Sequence, residues 1–454
     1  MKLQSIKRYE AYKDSGVEWL GEVPVHWENL RLKDVIAQLE SGVSVNATNE
    51  PVEGDNIGVL KTSCVGKDTF LQNQNKSVWY TEIDRVRVPV RAGRIIISRM
   101  NTPQLVGASA YISDNYPNLF LPDRLWQTVF FANRKLDTKW LSLLIGCRTF
   151  RFLLSTLATG TSPSMKNLGQ EKLLSINFPF PDLPEQQAIA NYLDTKTAQI
   201  DRQIDLLSKK ATQYGKLKQS LINETVTRGL DKTVAMKDSG VEWIGEVPAH
   251  WGVSRLKELS NIQNSNVDKK SHENDTPVQL CNYVDVYKNE FINSSLNFMR
   301  ATADESEIKR FTIKKNDVLI TKDSETCDDI AIPALATESL EGVLCGYHLA
   351  QLRVKDKVLV GAYLFRLFQS KSYGFRFVIS AKGITRVGLG QSAIADSLTP
   401  VPPLFEQQAI ATYLDEKTAH IDRIVSTINT QIDKLKELRK ALINDVVTGK
   451  IKVV

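Results

Sequence analysis

Residues 185–202 read EQQAIANYLDTKTAQIDR, and residues 406–423 read EQQAIATYLDEKTAHIDR. Around the first copy the chain is rich in helix-favouring residues, and between Pro184 and Thr227 its one glycine is Gly215. We therefore predict two long helices, over residues 184–228 and 404–447. A helix of ~45 residues at ~1.5 Å per residue is about 65 Å long, which is longer than a compact domain needs. Such helices act as spacers.

Apolar residues recur at spacings of three and four along both predicted helices. In the first they are Ile189, Leu193, Ile200, Ile204, Leu207, Ala211, Tyr214, Leu217 and Leu221. In the second they are Ile410, Leu414, Ile421, Val425, Ile428, Ile432, Leu435, Leu438 and Leu442. Two such narrow stripes on one chain favour an antiparallel coiled coil. A helical hairpin inside a larger domain is the alternative.

A second repeated block, which we call the leader, reads KDSGVEWLGEVPVHW at residues 13–27 and KDSGVEWIGEVPAHW at residues 237–251. Two repeated blocks in the same order show that the chain is two copies of one module, which predicts an internal pseudo-two-fold duplication. Trp19, Val23, Pro24 and Trp27 indicate a packing role for the leader. Docking of a partner is the alternative, and we read no catalytic role into His26.

Between the repeated blocks the two copies share only a faint pattern. Strand-like runs such as RIIIS from Arg94 and DVLIT from Asp317 are interrupted by Gly, Pro and Asn, and a helical stretch follows in each copy. We predict an α+β fold with two globules joined by two long antiparallel helices. The predicted limits are 1–183 for the first leader and globule, 184–228 for the first helix, 229–403 for the second leader and globule, 404–447 for the second helix and 448–454 for a tail.

The composition excludes several classes of protein. The 454 residues carry a formal net charge of +6, and no run approaches the ~18 apolar residues of a membrane span. The start lacks the apolar core of a secretory signal, so we expect a cytoplasmic protein without a membrane partner. The five cysteines are scattered, which predicts reduced, buried thiols and no metal site. Common catalytic motifs, including GxxxxGK[ST] and HExxH, are absent, and we predict no catalytic residue.

Two groups of residues are candidates for contact with DNA, because Arg, Lys and Asn read base edges and cations or hydroxyls hold phosphates. The first group surrounds the central strand of each globule: Arg91, Arg94 and Arg99, matched by Lys314, Lys315 and Lys322. The second is a Gly-rich loop before each long helix: Thr161, Ser162, Lys166 and Asn167 in one copy, and Lys382, Thr385 and Arg386 in the other. The alternatives are a solvated basic face and an ordinary turn.

The duplicated frame, the EQQAIAxYLDxKTAxID helices and the DSGVEWxGEVPxHW leaders together resemble the specificity subunit of a type I restriction-modification system. The resemblance covers nearly the whole chain. It implies that each globule is a target-recognition domain and that the paired helices set the spacing of a bipartite site on double-stranded DNA. One departure is Gly383-Ile384-Thr385, where the first loop has Gly160-Thr161-Ser162.

The resemblance also implies two methyltransferase subunits and restriction subunits that translocate and cut DNA. S-adenosylmethionine, ATP and Mg are then expected on those partners, and no cofactor on this chain. Two unlike globules should read unlike half-sites, so the whole target is expected to be non-palindromic. A structural or interaction protein with a merely solvated basic surface is the competing hypothesis, and a nuclease with an unrecognised site is a third.

Overall fold

The computed structural model describes residues 7–17, 19–66, 69–162, 164–270, 275–383 and 385–453. The chain forms two compact units, one comprising Met1–Leu207 with Thr430–Val454 and the other Ser208–Asn429. Each long helix, Leu183–Arg228 and Leu404–Val447, therefore contributes one half to each unit. The predicted α+β duplication is confirmed, whereas the finer domain limits drawn from the sequence stay a prediction.

The first unit holds two four-stranded sheets. The first sheet has the strand order Ser109–Tyr111, Ile95–Ser98, Leu125–Phe130, Ile36–Ser41, and the second has the order Asn75–Ser77, Gly58–Leu60, Tyr116–Phe120, Pro89–Val90. Three smaller pairings complete it: Tyr12–Asp14 with Glu22–Pro24, Glu28–Arg31 with Asn177–Phe180, and Thr159–Ser162 with Met165–Asn167 and Met100–Asn101. Its shorter α-helices are Thr138–Gly146, Arg148–Leu157 and Gln170–Leu174, and its 3-10 helices are Leu32–Asp34, Thr62–Val65 and Tyr80–Arg85.

The second unit repeats this plan with a larger first sheet. Its five strands run in the order Ser260–Asn264, Leu349–Val354, Val318–Thr321, Pro333–Ala336, Phe291–Ile292, beside four strands in the order Met299–Ala303, Thr276–Cys281, Leu340–Cys345, Thr312–Ile313. The small pairings are Met236–Asp238 with Glu246–Pro248, Gly252–Arg255 with Leu398–Val401, and Asp323–Ser324 with Val387–Gly388. Its shorter helices are Leu256–Leu259, Tyr283–Lys288, Glu305–Phe311, Cys327–Asp329 (3-10), Gly361–Gln369, Lys371–Ser380 and Gln391–Ala395.

The central strand of each unit separates two apolar cores. Side chains alternate between the faces of a strand. Ile95 and Ile97 enter the core that the helices cover, while Ile96 enters the core beneath the second sheet. In the second unit Val318 and Leu319 divide between two cores in the same way. Burial on both faces explains why these strands are continuous apolar runs in the sequence.

The two long helices run antiparallel within each unit. In the first, Ile189 shares a core with Val446, and further along the helix Asp201 lies 3.0 Å from Arg439. The second unit has the equivalent ion pair between Lys218 and Asp422 at 2.8 Å. The predicted antiparallel coiled coil is thus confirmed within each unit.

Two members of the predicted stripe do not belong to the seam. Leu217 is 53% exposed and Leu438 is 43% exposed. The neighbouring Lys218 and Arg439 occupy the contact positions instead, where their aliphatic stems pack and their charged ends form the ion pairs. The stripe therefore shifts by one residue near the middle of each copy.

Each leader is anchored by a glutamate at the start of a long helix. Glu185 accepts hydrogen bonds from Tyr9 Oη at 2.6 Å and from Trp27 Nε1 at 2.9 Å, and it lies 2.9 Å from His26 Nε2. The cap of this helix is a different residue, because Asp182 accepts from the Glu185 amide. The packing role predicted for the leader is confirmed.

The glutamines that follow these glutamates divide into a buried and an exposed member. Gln186 and Gln407 are fully buried. Gln186 accepts from the Asp137 amide and donates to the Pro181 carbonyl, both at 2.8 Å. Gln407 likewise accepts from the Val360 amide at 2.8 Å. Each buried amide therefore satisfies the backbone where a domain helix begins, and only Gln187 and Gln408 face solvent.

Four cysteines are buried, but Cys327 is exposed, which corrects the expectation that all five are buried. Burial raises the pKa of the Cys64 thiol to about 12. No single helix among the described residues is long and apolar enough to cross a membrane; Thr138–Gly146 and Arg148–Leu157, bent by 67°, meet that criterion only as a pair.

Candidate nucleic-acid interface

The Gly-rich loop of the first unit is a hairpin on the end of the central sheet. Its second strand pairs Lys166 with Asn101, and the Leu168 amide donates to the Arg99 carbonyl at 2.8 Å. Arg99 follows the buried central strand directly. The structure therefore brings together Arg99, Lys166 and Asn167, which the sequence supplied as members of two separate groups.

Two polar atoms at this place have no partner in the described part of the chain. Arg99 lies over the Trp126 ring at 5.6 Å, and its Nε is buried without a hydrogen bond. The Oδ1 atom of Asn167 is likewise buried and unpaired. Buried polar atoms are nearly always paired, so an unpaired donor and an unpaired acceptor on residues that adjoin the hairpin are compatible with a polar ligand at this place.

The second unit builds the corresponding site from different residues. The Leu389 amide donates to the Lys322 carbonyl at 2.7 Å, as Leu168 does to Arg99. Lys322 is buried, lies 4.9 Å from the Tyr347 ring centroid, and forms an ion pair with Asp323 at 2.5 Å. Arg386 extends from the hairpin and contacts the His348 ring at 3.2 Å. Lys322, His348 and Arg386 thus lie together at one end of the sheet.

The two hairpins require glycine at their first turn. A Cβ on Gly160 would lie 2.6 Å from the Met165 carbonyl oxygen, and one on Gly383 would lie 1.9 Å from that of Arg386. Gly383 also has φ +140, which side-chain-bearing residues rarely adopt. These equivalent contacts place Arg386 where the first unit has Met165, because the second loop is two residues shorter.

The other predicted cations lie away from the hairpins. Arg91 and Arg94 precede the central strand, at the end opposite Arg99, and Lys314 and Lys315 precede the strand of the second unit. Arg94 and Arg99 are five positions apart in an extended segment, so their backbones are ~16 Å apart. The structure therefore separates the predicted strand cluster into two ends, and only Arg99 and Lys322 meet the loops.

The remaining loop residues are placed as follows. Lys382 and Thr385 are exposed, and Lys166 Nζ donates to the Gly160 carbonyl at 3.3 Å. The side chains of Thr161 and Ser162 fall outside the described part of the structure, so their predicted role stays a prediction. The described residues contain no group of three or more side chains able to hold a metal ion.

Sequence reasoning missed one position in each unit. The Arg124 carbonyl accepts from the Arg99 amide, and the His348 carbonyl accepts from the Lys322 amide, so Arg124 and His348 are structural equivalents. Both side chains carry or can carry positive charge beside the hairpin. The strand pairing reveals them, whereas in the sequence they lie about 25 residues from the cation they adjoin.

Fold and site together define a duplicated α+β protein in which each unit presents cations on a hairpin at the end of a sheet, beside paired long helices. The family model described as "Type I restriction modification DNA specificity domain" matches residues 24–211 and 248–434. The chain belongs to this family.

Related proteins agree with the assignment. The EcoEI type I restriction enzyme specificity subunit of Escherichia coli is 25% identical over 174 residues, which cover 38% of this chain and 29% of that subunit. The MjaVIII specificity subunit of Methanocaldococcus jannaschii is 21% identical over 441 residues, covering 95% and 94%. One solved structure concerns complex assembly and conformational transition of the type I R-M system. A chain in it matches this chain with a TM-score of 0.68 at 14% identity, and the match covers 94% of this chain and 98% of that one. That likeness shows a shared fold.

Proposed function

We propose that this chain is the DNA-recognition subunit of a type I restriction-modification enzyme and that it reads a bipartite, asymmetric target through its two units. The observation that carries the proposal is the repeated joining of a strand-end cation to a cation-bearing Gly-rich hairpin. Leu168 donates to the Arg99 carbonyl and Leu389 to the Lys322 carbonyl, and the two hairpins carry Lys166 and Arg386. Cations and amides on short rigid elements are suited to phosphates and base edges. Family membership independently favours DNA as the ligand.

The chain in this proposal performs no chemistry. Two methyltransferase subunits that use S-adenosylmethionine, and restriction subunits that use ATP and Mg, would assemble with it in the cytoplasm. This chain would determine where on the DNA those partners act. Its relatives in Escherichia coli and Methanocaldococcus jannaschii are specificity subunits of type I restriction enzymes, which supports this assignment of recognition to one subunit and chemistry to others.

Single-molecule sequencing of adenine methylation tests the proposal. Cells would carry this gene with its neighbouring methyltransferase gene, and the expected result is methylation of a split, asymmetric motif. Arg99→Ala with Lys166→Ala should weaken recognition of one half of that motif, and Lys322→Ala with Arg386→Ala the other half. Lys434→Ala, on the exposed surface of a long helix, is the control and should leave methylation unchanged.

A binding measurement separates this proposal from an interaction protein with a solvated basic face. Neutralising several phosphates releases counterions, so affinity for the target duplex should fall steeply and linearly on a log-log plot against salt. Absence of gene-dependent methylation together with a flat salt dependence would reject DNA recognition. DNA cleavage by the purified chain alone would instead show that it is catalytic.

A further inference from the structure

Hydrogen bonds in the second unit link the hairpin to the sheet through one histidine. Arg386 Nη2 lies 3.2 Å from His348 Nε2 and 3.5 Å from its Nδ1, so the guanidinium lies against the ring, and Nδ1 lies 3.3 Å from Asp323 Oδ2. Asp323 also forms the ion pair with Lys322. The His348 side chain is 23% exposed, with the Tyr347 ring packed edge-on at 4.7 Å. The imidazole is therefore held between a cation on one side and a carboxylate on the other.

Asp323 fixes the tautomer of the neutral histidine. A carboxylate can only accept hydrogen bonds, so the nitrogen that faces it, His348 Nδ1, carries the proton. Nε2 of the neutral ring is then unprotonated, and the ring bears no charge that would repel the Arg386 guanidinium lying against it. Burial lowers the pKa of His348 from its usual 6.5; the hydrogen bond to Asp323 opposes this shift, and the charges of Arg386 and Lys322 add to it. Neutral His348 is thus the form that this site favours at neutral pH.

We propose that His348 is a positioning residue for DNA recognition by the second unit: as a neutral imidazole it contacts Arg386 through both ring nitrogens and holds the guanidinium at the end of the sheet. This inference rests on the proposed function. Arg386 is an exposed side chain on a short hairpin, so without the histidine it would sample many rotamers. Fixing it before binding reduces the ordering that binding must impose.

Protonation of His348 should release Arg386. The ring then has no lone pair to offer at Nε2, and it adds a positive charge beside Arg386 and Lys322. The groups that face the ring are Asp323, Lys322 and Arg386 from other elements, with Tyr347 adjacent. One carboxylate cannot balance three cations, so the guanidinium would turn away as the pH falls below 6.5.

The first unit has an arginine in place of this histidine. Arg124, at the place of His348, is always charged and cannot accept a hydrogen bond. We therefore expect acidification to weaken recognition by the second unit and to leave the first unchanged. The two units of one chain form a matched comparison under identical conditions.

The test measures affinity of the full chain, copurified with its methyltransferase partner, for the duplex target identified by methylation sequencing. Between about pH 8 and about pH 5, a range that extends well below the ordinary histidine pKa because that of His348 is lowered, we expect wild-type affinity to fall roughly tenfold. Base-pair substitutions in the half-site of the second unit should lose their effect at the lower pH, and those in the other half-site should keep theirs. Unchanged or rising affinity on acidification would overturn the inference, the latter because protonated His348 would itself be a phosphate contact.

Three variants control for the other histidines. His348→Gln can accept from Arg386 and donate to Asp323, so it should bind as wild type at pH 8 and lose the pH dependence. His348→Ala should bind roughly tenfold more weakly at both pH values, the weakening expected for loss of one charged hydrogen bond. His348→Arg should reproduce the acidic wild type at every pH. A retained pH dependence in His348→Gln would refute the role.

Nitrogen-15 spectra of the five histidine rings give a readout that does not require DNA. The resonances absent from His348→Gln identify His348, and a proton on Nδ1 with an unprotonated Nε2 is expected at neutral pH. The opposite tautomer contradicts the inference. Absence of sequence-specific binding by the wild type at pH 8 would refute the proposed function itself, whereas specific binding that is indifferent to His348 would refute this inference alone.

Discussion

Replacing Glu185 with alanine should release the first leader from its unit. The carboxylate is 11% exposed. It accepts hydrogen bonds from Trp27 of the leader at 2.9 Å and from Tyr9, just before the leader, at 2.6 Å, and it lies 2.9 Å from His26 of the leader. A hydrogen bond to a charged group contributes about 1.5–3 kcal/mol, and His26 is half exposed, so its share is discounted. The two buried bonds then set the loss at about 3–5 kcal/mol in the free energy of opening the leader.

The second leader provides a smaller, matched effect. Among the described residues, Glu406 accepts from Trp251 at 2.9 Å and lies 2.6 Å from His250, and its side chain is 24% exposed. With one buried bond in place of two, Glu406→Ala should cost about 2–3 kcal/mol. Glu185→Ala should therefore cost more than Glu406→Ala, because Tyr9 donates an additional hydrogen bond to Glu185 in the first unit.

Hydrogen exchange followed by mass spectrometry measures each leader separately in the intact chain. At about 1.4 kcal/mol per tenfold change, Glu185→Ala should accelerate exchange in residues 13–27 by roughly 100- to 4000-fold and leave residues 237–251 unchanged. Acceleration below tenfold would show that apolar packing of the leader suffices without the carboxylate. Equal acceleration of both leaders would show that Glu185 acts on the global stability of the chain.

Three further predictions concern other contacts. Gln407→Ala leaves the buried Val360 amide without an acceptor and should cost about 1–3 kcal/mol by urea denaturation, whereas exposed Gln408→Ala should be nearly neutral. Gly383→Ala forces the hairpin apart and should abolish recognition of one half-site, measured by methylation sequencing, while circular dichroism stays unchanged. Because burial raises the thiol pKa of the other cysteines and only Cys327 is exposed, Ellman's reagent should label one thiol in the native chain and five in denaturant.

The long helices were predictable because their pattern is local and repeats over many turns. The exception at Leu217 and Leu438 arises where the apolar stripe and the contact seam differ by one residue. A long cation next to the leucine can bury its stem and still reach a carboxylate on the opposite helix, as Lys218 and Arg439 do. The pattern of apolar residues alone does not show which of two neighbouring residues, the leucine or the cation, lies between the helices.

The roles of Glu185 and Gln186 were not predictable from local sequence because their partners are remote. The Asp137 amide lies 49 residues before Gln186, and Tyr9 lies 176 residues before Glu185. Capping rules describe only the helix to which a residue belongs. One feature of the sequence did point to remote partners. EQQ is identical in both copies although the residues before it differ, which favours contacts with the other repeated blocks of the same module.

The sequence predicted the types of residue in the candidate site but not which of those residues lie close together. Gly, Lys and Arg near a strand and before a helix suggested anion contacts, and strand register then decided which of them meet. Arg91 and Arg99 are eight residues apart yet lie toward opposite ends of one strand, whereas Arg99 and Leu168 are remote in sequence and share a backbone hydrogen bond. Pairing between strands sets such neighbours, and a single sequence does not state it.

The duplication itself shows which positions face a partner that differs between the units. Positions whose contacts stay within the frame are identical in both copies, as with Glu185 and Glu406, whereas the hairpin differs in length and carries Met165 in one unit and Arg386 in the other. Identical half-sites would require equivalent side chains at equivalent positions of the sheet end, and Arg124 and His348 are not equivalent donors. We therefore expect binding selection from random duplexes to return two unlike half-sites. A palindrome or a single continuous motif would contradict this reasoning, because two unlike donor sets would then be reading the same bases.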